Sequence, residues 1–105
     1  MRRARLSARG LFAALHWDAG HRVDLAVVAG AIVIGSAGTG LYAVEGRGEL
    51  SLPAAARRMC GMTPGAPVLV AACRAQDTLV VHPASVVAEL LRRWYAEAAG
   101  GPDAR

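Results

Sequence analysis

Arg57 and Arg58 stand side by side in this chain, and Arg47 lies a short way upstream. A guanidinium is a planar fork of donors that grips phosphate through paired hydrogen bonds. Neighbouring residues on a helix point about 100° apart. Both arginines would therefore project from one exposed face, with Arg47 approaching them across a loop. All 12 basic residues are arginine, lysine is absent, and the net charge is +4. Such a balance fits nucleic acid or an anionic surface as partner. A GC-rich genome produces the same arginine, alanine and glycine excess, so composition alone does not choose. Arg2, Arg3 and Arg5, followed by Arg9, read as a frayed basic arm that would add accessory phosphate contacts.

The remaining reactive residues form no recognisable constellation. Cys60 and Cys73 are too few for a disulfide framework and show no C-x-x-C spacing. They read as reduced thiols. A zinc site with His82 has no motif spacing behind it, so neither a metal nor any other cofactor is expected. His16 and His21 flank a turn, and His82 ends a strand pattern. No Ser–His–acid or paired-carboxylate arrangement points to an enzyme. The GSAGTG stretch at 35–40 lacks the lysine of a phosphate-binding loop and is followed by a strand pattern instead of a helix.

The elements that must carry these residues are short. With 105 residues and 54% hydrophobic content, the chain suits one compact domain with a modest core. Leu25 to Val44 is free of charge and long enough to cross a bilayer. Glycines 35, 38 and 40 break that run, and Val23, Leu25 and Val27 alternate as a strand does. Strands are expected at 22–28 and 31–34, joined by a hairpin turn at Ala29-Gly30. Ser7 would open a short helix reaching Trp17. Further strands are expected at 41–45 and 49–52. Pro53 and Gly61 bracket a two-turn helix that carries the arginine pair. Two more strands follow, around Val70 and Val81. After Pro83 the apolar period becomes helical, with Val87, Leu90, Leu91 and Trp94 on one stripe.

The two halves repeat. With Gly20 set beside Gly65, Leu11, Leu15 and Trp17 fall beside Ala56, Cys60 and Met62. Val23, Leu25 and Val27 fall beside Val68, Val70 and Ala72, and after a two-residue gap Ile32 and Ile34 fall beside Leu79 and Val81. Chance likeness between two helix-plus-hairpin segments is the alternative. A true repeat has a physical consequence: units this small rarely hold a core alone, so the halves must clasp each other.

Residues 41–83 resemble the AbrB/MazE/SpoVT-like swapped-hairpin domains. The resemblance rests on Gly48, Leu50, Leu52-Pro53, Arg57-Arg58, Cys60-Gly61-Met62, Pro64-Gly65 and Leu79-Val80-Val81, in that order. It implies a mainly β fold: a small swapped-hairpin barrel built from two pseudo-repeated hairpin and short-helix halves, plus a C-terminal helix. The halves would be 5–36, degenerate, and 41–83, with the helix at 84–99. It also implies a bacterial transcription regulator that binds double-stranded DNA through Arg57, Arg58 and Arg47, in the cytoplasm and on the nucleoid, with no membrane role. The alternative under the same resemblance is an antitoxin-like interaction module that meets a toxin or other protein through the C-terminal helix. Homodimerisation would suit either. The chain departs from the family pattern at Glu49 and Ala66, and its first half lacks the motif arginines.

Overall fold

Alternating apolar residues build two antiparallel sheets, and short helices cross between them. The computed structural model describes residues 4–100. In chain order the elements are β1 (Ala4–Ser7), α1 (Arg9–Ala14), β2 (Arg22–Val28), β3 (Ala31–Ser36), β4 (Tyr42–Ala43) and β5 (Glu49–Leu52). Then come α2 (Ala54–Met59), β6 (Val68–Cys73), a 3-10 turn at Arg74–Gln76, β7 (Thr78–Pro83) and α3 (Ala84–Gly100). β1 pairs with β5, and the other five strands run in the order β4-β2-β3-β7-β6.

The elements recur at the spacing that sets Gly20 beside Gly65. Ala4–Ser7 reappears as Glu49–Leu52, Arg9–Ala14 as Ala54–Met59, and, after the two-residue gap, Ala31–Ser36 as Thr78–Pro83. The pairing follows the same symmetry. Val33 faces its counterpart Val80, flanked by Ile32 opposite Val81 and Ile34 opposite Leu79. In the smaller sheet, Arg5 faces Ser51 and Leu6 faces Leu50. Each half thus lends one strand to each inter-half ladder.

The core lies between the sheets and draws on both halves. Phe12, Val23, Ile32 and Ile34 from the first meet Leu50, Leu79 and Val81 from the second, all at most 2% exposed. Burying each such side chain contributes roughly 1.5–3 kcal/mol. Among the described residues no polar or charged residue is buried. One polar tie also crosses the halves: the Trp17 indole N–H donates to Asp77 Oδ1 at 2.8 Å.

Three expectations are corrected. First, Arg5 does not belong to a frayed arm. Ala4–Ser7 is a strand, because Leu6 inserts into the core opposite Leu50 while Arg5 turns outward to Glu49 at 3.5 Å. Arg2 and Arg3 lie outside the described residues. Second, neither sheet closes into a barrel. β1 pairs with β5 alone, and among the described residues β6 is an outer strand of the larger sheet. The circuit is left open between β1 and the start of β6. Third, Ser7 does not open the first helix: it ends β1 with its hydroxyl on Glu49, Ala8 is the N-cap, and the helix is shorter than expected, running Arg9–Ala14 with Leu15 as its C-cap.

Leu25 to Val44 runs through β2, the hairpin turn, β3 and β4. No helix among the described residues is long and apolar enough to cross a membrane. Gly40 lets β4 come close to β2, since a Cβ there would stand 2.3 Å from the Val23 carbonyl oxygen. The molecule measures 52 × 33 × 21 Å, elongated by α3, whose 17 residues span about 25 Å.

Candidate nucleic-acid interface

The sequence around α2 fixes where its arginines go. Pro53, extended at φ −60 and ψ 141, forms the N-cap, and the helix runs Ala54–Met59. Gly61 then adopts φ 67, a left-handed value that glycine takes without strain. The Gly61 N–H donates to the Arg58 carbonyl at 3.1 Å, and the Met62 N–H to the Arg57 carbonyl at 2.9 Å. This double closure is a Schellman stop. α1 ends the same way: His16 takes φ 60, and the Trp17 N–H donates to the Phe12 carbonyl at 2.8 Å. The two helices correspond bond for bond, but Phe12 and Ala13 occupy the places of Arg57 and Arg58.

That difference divides their roles. Phe12 is 2% exposed and belongs to the core. Arg57 is half-buried, and its Nε donates to the Leu52 carbonyl at 3.3 Å, which anchors the root of the guanidinium. Arg58 is exposed. Neither joins an ion pair among the described residues, the recorded pairs being Arg5 with Glu49 and Arg92 and Arg93 with Glu89. Both sit in the last turn of α2, where carbonyl dipoles favour positive charge.

Arg57 also shares a surface cleft of about 310 Å³ with Arg5, walled by Leu52, Met62 and the 63–66 turn. The cleft lies where the strand circuit is open. Arg5 and Arg57, named from different parts of the sequence, thus face one space. Arg47 does not join them. The register sets Glu49 opposite Ser7 and Leu52 opposite Ala4, so Arg47 stands at the far end of the β1–β5 ladder from α2. There the next residue, Gly48, lies against Arg9, whose Cβ lies 2.9 Å from where a Gly48 Cβ would be. The expected approach of Arg47 to Arg57 and Arg58 therefore does not occur. Sequence reading assigned Arg9 to the arm; its place beside the Arg47 turn follows only once β1 is known to pair with β5.

Between the two basic ends, the outer face of the ladder is largely self-satisfied. The Ser7 hydroxyl donates to Glu49, and the Ser51 hydroxyl donates to Glu45 at 3.0 Å. Elsewhere, among the described residues, no three histidine, cysteine or acidic side chains converge to hold a metal ion. Burial pushes the Cys60 thiol above its usual value, which holds it as an unreactive thiol.

In comparison with known proteins, the chain matches no family model, no curated protein and no solved structure.

Proposed function

We propose that the chain is a DNA-binding transcription regulator of the AbrB-like swapped-hairpin type, acting on the bacterial nucleoid. Arg57 and Arg58 grip the phosphates of double-stranded DNA, while Arg5, across the cleft, is held by Glu49. One observation carries this reading: an arginine pair without acidic partners among the described residues, displayed on a short helix closed by a Schellman stop, with the Arg57 guanidinium anchored on the Leu52 carbonyl. The symmetric clasp of two repeated halves supports it, since swapped hairpins pair in that manner. Arg47, at the other end of the ladder, stands apart from this pair.

Because α1 carries Phe12 and Ala13 instead of arginines, α2 alone of these two matched helices offers an arginine pair. Phosphate contacts release condensed counterions, so affinity must fall steeply with salt. Fluorescence anisotropy with a mixed-sequence duplex, read between about 50 and 200 mM salt, tests this. Arg57→Ala and Arg58→Ala should each weaken binding and lower the slope of log affinity against log salt by about one. Arg92→Ala, in an arginine already paired with Glu89, should leave the slope unchanged. Affinity indifferent to salt, or unmoved by both α2 substitutions, would refute the reading.

A further inference from the structure

We infer that the open edge of β6 and the apolar stripe of α3 form one docking surface for a second copy of this chain. The inference goes beyond DNA binding and does not depend on it. Among the described residues β6 is the last strand of its sheet, with β7 on one side and no strand on the other. Its residues Val68–Cys73 carry no charge, and Val68 and Leu69 are 38% and 53% exposed. An uncharged open edge is a ready template for strand pairing. The counterpart edge, on β2, is protected: it carries Arg22 and Asp24, and β4 covers its start. The repeat therefore leaves one edge guarded and the other free.

α3 continues the same surface. Its first turns rest on the body, where Val86 and Val87 are half-buried, and the rest runs clear of it. Leu90, Leu91, Trp94 and Tyr95 are 50–62% exposed. The Trp94 and Tyr95 rings meet edge to face with centroids 5.1 Å apart, which holds both on the stripe. An apolar groove joins Val68 and Leu69 to Val87 and Leu91. Together the exposed side chains of strand and helix present on the order of 700 Å² per chain, near the roughly 800 Å² that each partner contributes to a stable interface.

The surface complements itself. Val87, Leu91, Trp94 and Ala98 follow the four-three spacing of a helix–helix seam. In an antiparallel pair Leu91 would meet the partner copy's Trp94, and Val87 the partner copy's Ala98. Antiparallel pairing of β6 with β6 likewise needs only one sequence. A two-fold axis perpendicular to the sheet preserves its faces, so both α3 helices would lie on the same side of the joined edge. The assembly would also supply a second Arg57–Arg58 pair.

Sedimentation equilibrium of the full chain without DNA, from about 1 to 100 µM, tests the inference at the affinities usual for such interfaces. The expected mass is twice the 10.9 kDa of one chain. Leu91→Glu with Trp94→Glu should weaken self-association by about 100-fold or more. Leu69→Lys should weaken it from the strand side. Circular dichroism and melting of a dilute sample should stay at the parent values, because these side chains are largely exposed in the single chain. A single-chain mass throughout the range would overturn the inference. So would a dimer that survives the α3 substitutions, or a monomer that uses α3 to bind anionic vesicles or a different protein.

Discussion

Cys60 occupies the C-cap of α2 at 7% exposure, and desolvation there raises its pKa above the ordinary 9.0. The folded chain therefore keeps this proton to higher pH than the unfolded chain does. Its contribution to stability is complete below the unfolded thiol value and declines as pH rises above it. Denaturant midpoints measured from pH 7 to about 10.5 should fall at the alkaline end, by at most about 1.4 kcal/mol per pH unit from this one group. Cys60→Ala should reduce that fall while costing some packing. A thiol reagent at neutral pH should modify half-buried Cys73 before Cys60. At the same scale, the arginine pair was legible in the sequence because Pro53 and Gly61 bracket it. The placement of Arg47 was not, because sequence proximity gave no sign that the β1–β5 ladder separates it from α2. The register could not be read either, since Leu6 is the only large apolar residue of β1 and its partner strand lies in the other half.

Two positive φ values in succession define the β2–β3 turn: 51° at Ala29 and 78° at Gly30. This is the type I′ geometry that matches the twist of a two-residue hairpin. Gly30 fits it, whereas Ala29 carries a Cβ into the left-handed region at a cost of about 1 kcal/mol. Ala29→Gly should therefore raise stability by roughly 0.5 kcal/mol, the relieved strain being partly offset by greater freedom in the unfolded chain. Ala29→Val should lower it, and chemical denaturation can resolve the pair. The hairpin was readable because its turn dipeptide sits between alternating β-branched runs. The turn between β6 and β7 was less so. Its residues Arg74–Gln76 form a 3-10 turn that places Asp77 at φ 51, where the carboxylate meets Trp17. That tie depends on a residue of the other half, which no local pattern of RAQD reveals.

The whole molecule depends on the clasp. Leu6, Phe12, Leu15, Trp17, Val23, Ile32 and Ile34 form one side of the core, and Val44, Leu50, Leu52, Cys60, Leu79 and Val81 form the other. Neither set is covered by its own half, and β3 and β7 each lose a neighbour if the halves part. The apolar repeat made this mutual dependence visible in sequence. The open circuit was not visible, because no local pattern tells which strands keep an unpaired outer edge. Cutting between Gly38 and Thr39, in an exposed part of the connecting loop, leaves every strand intact. Fragment 1–38, made alone, should show no cooperative melt, and the emission of Trp17, its only tryptophan, should be that of a solvated indole. Adding fragment 39–105 with Trp94→Phe, which leaves Trp17 as the one indole in the mixture, should shift that emission to the blue as the indole enters the core and meets Asp77, and the mixture should melt as one unit. Emission that stays red on mixing would mean that 39–105 satisfies its own sheet edges without the first half. The β3–β7 ladder would then be a consequence of folding and not its cause.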